Sequence, residues 1–270
     1  MAEKVIACVI ARTVSKRLPL KILRAINPEH SMIGFLIERL KRVSSIDDIV
    51  ICTSVESVDD ILEDVAERHA VKIYRGSPDN VLERMLQVGK RENANILLRI
   101  TGDNPFTSTE FIDEQIRFLR SENLDYVRVI DVPVGATAEV MKYNALEECS
   151  RSMDPSVSEY LMLFMFEPRK FKCGVIKPFP RDASNVSITV DTPNDLQRNK
   201  QILSAYVEDS LSLKLIDILR IIDEQDVPFS YIKPSGQIKL PYGKTVDFEE
   251  FLADMKRRIT NSTYLQLYEN

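Results

Sequence analysis

The residues best suited to chemistry lie at the start of the chain. Ala11-Arg12-Thr13-Val14-Ser15-Lys16-Arg17-Leu18-Pro19-Leu20-Lys21 places Arg12, Lys16, Arg17 and Lys21 together, directly after the apolar run from Val5 to Ile10. Cations at that density suit a triphosphate, whose transfer needs its negative charge bridged by fixed positive groups and backbone N–H donors. Pro19 fixes φ ahead of Lys21 and so reduces the entropy lost when the lysine docks on phosphate. A solvated basic loop would show the same spacing. The chain has eight glycines and neither a G-x-x-x-x-G-K nor a G-x-G-x-x-G stretch, which argues against Walker-type kinases and dinucleotide-dependent dehydrogenases.

Three further segments follow apolar runs. Arg99-Ile100-Thr101-Gly102-Asp103-Asn104-Pro105 puts Asp103 where a buried strand would end. A carboxylate there can hold Mg²⁺ through one or two oxygens while phosphate and water take its other positions, or it can simply form a turn. Ser187-Ile188-Thr189-Val190-Asp191-Thr192-Pro193-Asn194-Asp195 delivers Asp191 just before a Pro-initiated helix. That residue could cap the helix, or two aspartates on separate strand ends could share one Mg²⁺ or hold two. In Tyr74 to Arg84, Gly76 permits close backbone approach, and Ser77, Asp79 and Asn80 offer helix caps or ribose and base contacts. His30 and His69 are far apart with no obvious catalytic nucleophile nearby, which argues against a Ser-His-Asp or Cys-His hydrolase.

These segments need a scaffold that brings strand ends together. Short β-branched runs alternate with helix-length amphipathic runs through the first half, the pattern of βα units on a largely parallel sheet. Strands are expected at Val5 to Ile10, Ile49 to Cys52, Val71 to Tyr74 and Asn95 to Ile100. Helices are expected at Met32 to Val43 with Ser31 as N-cap, Val58 to His69, Asn80 to Glu92 and Thr109 to Ser121. Beyond Asp125 the alternation loosens. Tyr126 to Ile130, Glu139 to Met141 and Val186 to Val190 read as strands, Ser156 to Phe166 as a helix ended by Pro168, and Pro193 to about Val207 as another. Open sheets of this kind bind ligands at the carboxyl ends of their strands. A main domain closing near residue 207 is expected, followed by a C-terminal appendage over 208–270. The appendage holds a helix from Leu211 to about Asp226, a stretch punctuated by Pro228, Pro234, Gly236, Pro241 and Gly243, and a last helix from Phe248 to Ile259.

Composition sets the class. A formal net charge of −5 argues against a general nucleic-acid binder, so the positive charge near residues 12–21 is local. No apolar run approaches the roughly 20 residues needed to span a bilayer, and Val5 to Ile10 is too short for a secretory segment. Cys8, Cys52, Cys149 and Cys173 form no metal-ligand spacing and read as reduced structural thiols of a cytoplasmic protein. The apolar stretch Leu161 to Phe166 would serve the core or a homodimer interface.

Taken together, the segments resemble the cytidylyltransferase family that makes CMP-activated sugars, notably its spore-coat polysaccharide and acylneuraminate or 3-deoxy-manno-octulosonate branches. The family's opening motif falls on Val9 to Lys21, its R-G-S-x-x-D-V-L-x-R segment on Arg75 to Arg84, its R-x-T-G-D-x-P on Arg99 to Pro105 and its T-V-D-T-P-x-D-L on Thr189 to Leu196. The resemblance covers about residues 4 to 207. It implies a three-layer α/β/α nucleotidyltransferase domain, similar to glycosyltransferases of the A type. It further implies that Arg12 and Lys21 contact CTP phosphates in a loop completed by Ser15, Lys16 and Arg17, and that Asp103 and Asp191 coordinate Mg²⁺. Arg75, Ser77, Asn80 and Thr101 would lie near ribose and pyrimidine, and Glu139 would face a small-molecule acceptor. The chain departs from the family pattern at Val14 and Leu20, where glycine is usual, at Ile10 for glutamine, and at Thr137 for an acid. Those changes leave a non-catalytic relative as an alternative. A nucleotide-sugar glycosyltransferase is a lesser one, because the place for its D-x-D motif reads Thr101-Gly102-Asp103.

Overall fold

The computed structural model describes residues 3–232 and 236–269, so Pro234 lies outside the described residues. In chain order its elements are β1 (Val5–Ile10), α1 (Met32–Leu40), β2 (Asp48–Ser54), α2 (Ile61–Arg68), β3 (Lys72–Gly76), α3 (Val81–Glu92) and β4 (Ile96–Thr101). Next come α4 (Ile112–Ser121), β5 (Tyr126–Val129), β6 (Glu139–Lys142), α5 (Tyr143–Ser152), α6 (Leu161–Met165), β7 (Cys173–Lys177) and α7 (Pro193–Ala205). The chain closes with α8 (Leu215–Gln225), a hairpin of β8 (Gln237–Lys239) and β9 (Thr245–Asp247), α9 (Phe248–Thr260) and β10 (Thr263–Gln266).

Eight strands form one sheet in the order β10-β7-β5-β6-β4-β1-β2-β3. All pairings are parallel except those of β6, which runs antiparallel to β4 and β5. Because side chains alternate along a strand, Val5, Ala7 and Val9 enter one core while Ile6 and Cys8 enter the other. The first core is covered by α1, α2, α4, α7 and α8, and the second by α3, α5 and α6, with Met255 and Ile259 of α9 packed against it. The result is the expected α/β/α layering. Ser31 caps α1, its Oγ accepting from the Gly34 N–H at 3.2 Å, and His69 ends α2 with Nδ1 2.7 Å from Glu38. The four cysteines are free and buried. No helix among the described residues is long and apolar enough to cross a membrane.

Several expectations are corrected. Val186 to Val190 is not a strand of the sheet; it touches Val134 and Tyr231 only through isolated bridges while burying Val186, Ile188 and Val190 in the first core. Its alternating pattern records one-sided burial, which does not require ladder pairing. The helix expected over Ser156 to Phe166 divides at Leu161. Pro155–Tyr160 is a 3-10 segment interrupted at Val157 (φ −109°, ψ 19°), and α6 follows. Leu161, Met165 and Phe166 fill the second core. The boundary expected near residue 207 does not divide the core, since Leu215, Ile218, Leu219 and Ile222 of α8 pack into the first layer and β10 pairs with β7.

Candidate active site

The loop after β1 is tied down by a buried carboxylate. Asp59, fully buried, accepts the Thr13 N–H at 2.7 Å, and the Thr13 hydroxyl lies 2.7 Å from the same oxygen; the Ser54 hydroxyl takes the other oxygen. Burial alone would push the Asp59 carboxyl up, but the bonds from Ser54 and Thr13 outweigh it and hold its pKa below the ordinary value. Asp59 was not among the residues singled out by sequence, because nothing local links it to a loop 46 residues earlier. With Thr13 pinned, Val14 does not use the left-handed region that the family's glycine would allow, whereas Leu20 does, at φ 56° and ψ 29°.

Immediately after Leu20, the site converges. Lys21 Nζ donates to Asp103 Oδ2 at 2.7 Å and to Asp191 Oδ1 at 2.9 Å, and an Arg17 terminal nitrogen lies 2.9 Å from the same Asp191 oxygen. Three loops therefore meet at one ammonium. Their backbones are joined as well: Gly102 N–H donates to the Ile10 carbonyl at 2.8 Å, and Val190 N–H to the Asp103 carbonyl at 3.0 Å. A Cβ on Gly102 would sit 3.2 Å from Ala11 Cβ, so glycine lets the loops after β1 and β4 close together. Burial disfavours the Lys21 ammonium, but Asp103 and Asp191 outweigh that, and its pKa is raised.

Asp191 is spared the capping role that its position allowed. Thr192 is the N-cap of α7, forming a capping box with Asp195, with Pro193 in the first turn. Asp195 Oδ2 accepts from the backbone N–H groups of Asp191 (3.0 Å) and Thr192 (2.8 Å), and buried Arg198 braces Asp195 from below at 3.1 Å. The Asp191 side chain is left for the crevice.

Asp103 and Asp191 fit a divalent cation. Two hard oxygen donors from different loops already converge on one positive charge, and their side chains remain 28% and 33% exposed. Among the described residues no group of three or more His, Cys, Asp or Glu is placed to hold a metal ion. A cation here would complete its shell with phosphate oxygens and water, as Mg²⁺ commonly does.

The remaining expected nucleotide contacts separate into two groups. Exposed Arg12 donates to the Pro78 carbonyl at 3.0 Å, linking the basic loop to the segment before α3. Arg84, fully buried, grips the Ser77 and Pro78 carbonyls from the other side. Its Nε and one terminal nitrogen are buried with no partner among the described residues, and burial lowers its pKa. Sequence inspection passed over Arg84, although an arginine between the inward positions Leu82 and Met85 is itself a signal. Ser77 and Lys16 are exposed, Ser15 Oγ accepts from Leu18 N–H at 3.4 Å, and Thr101 Oγ1 accepts from Asn104 at 2.6 Å. Asn80 caps α3. Arg75 is occupied by the Ser54 and Glu56 carbonyls, both at 3.0 Å, and by Asp60 and Glu63 at 2.5 and 2.6 Å, so it braces the β2–α2 connection.

Glu139 differs from its expected role. It is buried at the start of β6, with one oxygen paired to Arg99 and the other accepting from the Tyr126 hydroxyl at 2.5 Å. Burial and the neighbouring carboxylate push the Tyr126 pKa well up. Each Glu139 oxygen already has a partner within the protein, and the residue is only 5% exposed. Thr137 turns to the Val129 carbonyl at 3.4 Å.

The cytidylyltransferase family model matches residues 6–229. An uncharacterized protein of Methanocaldococcus jannaschii is 32% identical over 83% of this chain and 90% of its own length. The spore coat polysaccharide biosynthesis protein SpsF of Bacillus subtilis is 29% identical over 71% of this chain and 83% of its own. A solved cytidylyltransferase from Leptospira borgpetersenii superposes with a TM-score of 0.78 at 25% identity, covering 86% of this chain and all of that one. With the aspartate pair, the basic loop and the layered sheet arranged as described, the chain belongs to the cytidylyltransferase family.

Proposed function

We propose that this enzyme transfers CMP from CTP, with release of pyrophosphate, to a sugar or sugar-acid-like acceptor used in surface polysaccharide or glycoconjugate synthesis. The observation that carries this reading is the convergence of Asp103, beyond the carboxyl end of β4, and Asp191, just before α7, on Lys21 in the loop after β1. Asp103 and Asp191 would hold Mg²⁺, which would neutralise charge developing on the phosphates. Lys21, Arg17 and Arg12 take the triphosphate, with Lys21 exchanging its carboxylate partners for phosphate oxygens. The segment gripped by Arg12 and Arg84 borders the base and ribose.

An acceptor oxygen attacks the α-phosphorus in line. The new P–O bond forms as the α–β bridge breaks, and the acceptor's proton and pyrophosphate leave. Positioning and electrostatic stabilisation do most of the work in such a transfer. The spore-coat name of the Bacillus relative supports the polysaccharide setting.

The test is a pyrophosphate-release screen of CTP, UTP, GTP and ATP against sugars and sugar acids, with Asp103→Ala as control. Release with CTP and Mg²⁺ that Asp103→Ala abolishes is the expected result. Undiminished release in that variant would remove the metal assignment.

A further inference from the structure

Across the sheet face that meets the second core, one register row carries charge. Arg128 on β5 is paired in register with Glu139 on β6, and Glu139 with Arg99 on β4. The same row continues into Cys8 on β1 and Val175 on β7, so two arginines and a glutamate stand between two apolar neighbours. The row lies two residues before Thr101 and four before Asp103.

Glu139 spends both oxygens on Arg99 and Tyr126. The side chain of Arg128, the other neighbour of Glu139, makes no hydrogen bond or ion pair among the described residues. Its Nε is buried without a partner, and its guanidinium lies 5.4 Å from the centroid of the Phe166 ring. Phe166 is itself stacked on Tyr126, centroids 5.8 Å apart, which fixes the platform. A half-buried cation held flat on an aromatic ring, with its nearest carboxylate taken, leaves one positive charge uncompensated. A buried donor without a partner needs an explanation, and a guanidinium fork matches a carboxylate or a phosphate.

We infer that Arg128, seated on Phe166, is a specificity residue that binds an anionic group of the acceptor, while Glu139 positions Arg99 and Tyr126 without touching the acceptor. This rests on the cytidylyl-transfer reading for the identity of the co-substrate. Arg128 lies two strands from β4, about 10 Å across the sheet, so a sugar-sized molecule with its anion on Arg128 can present a hydroxyl to a nucleotide at Asp103. The shared ligand chemistry is a carboxylate or phosphate ester.

Arginine-labelled full-length protein carrying CTP tests this. The Arg128 Nε–H signal, identified by its loss in Arg128→Lys, should move on titration with acetate or with inorganic phosphate and stay still with neutral acetamide. The anion acting at lower concentration identifies the acceptor's group. In turnover, Arg128→Lys should raise the acceptor KM by about tenfold, the loss of a bidentate contact, and leave CTP affinity unchanged. An Arg128 signal unmoved by both anions, or moved equally by acetamide, overturns the inference. Arg12 and Arg17 signals unmoved by CTP would instead overturn the nucleotide reading.

Discussion

Asp103 and Asp191, in the loops after β4 and before α7, and Glu139, at the start of β6, are carboxylates whose surroundings differ sharply. The aspartates are partly exposed and share Lys21. Glu139 is buried, with one oxygen on a guanidinium and the other on a phenol. An acid becomes a ligand site when its neighbours can be exchanged. Where they cannot, it becomes part of the scaffold, and the uncompensated charge moves to the next residue in the row, here Arg128.

The sharpest way to break that contrast is to remove the exchangeable acid. Asp103→Ala should lower pyrophosphate release by about a thousandfold with the fold intact by circular dichroism; a loss under tenfold would place Asp103 with Glu139 as scaffold. Lys21→Met should cost about a hundredfold in kcat/KM, because the triphosphate loses its most buried cation. Steady-state kinetics at saturating acceptor would check it.

The anchors of the loop should show in stability. Asp59→Ala strands the donors of Thr13 and Ser54 and should cost about 2–4 kcal/mol in urea denaturation at neutral pH. Because the folded-state pKa of Asp59 is lowered, its contribution is present above the ordinary aspartate range and is lost as pH falls through that lowered value. The gap between wild type and Asp59→Ala should therefore narrow as the denaturation is repeated toward about pH 3. The smallest effect belongs to Leu20→Gly, which relieves a left-handed leucine and should stabilise by about 1 kcal/mol. A destabilised variant would mean that the Leu20 side chain contributes packing despite being 46% exposed.

The placement of Asp103 and Asp191 was largely legible in sequence, because Gly102, Pro105 and Pro193 punctuate apolar runs and leave the two aspartates at their ends. Those signals are local. Glu139 was misplaced because its partnership with Arg99 depends on β6 running antiparallel to β4, a register that no local pattern records. Strand β7 went unread because Gly174 sits inside it; a Cβ there would come within 2.4 Å of Leu124 Cδ1, so the residue that makes the strand fit also hides it. Asp59 and Arg84 escaped notice for the same reason as Glu139: their partners come from other elements.

Whether Asp103 and Asp191 form a metal-dependent nucleotide centre is tested most directly by equilibrium dialysis of labelled CTP. Mg²⁺ should tighten CTP binding to the wild-type protein by about tenfold or more, and the doubly substituted Asp103→Asn, Asp191→Asn protein should bind CTP equally with and without the ion. A double variant that still responds to Mg²⁺ as the wild type does would contradict it.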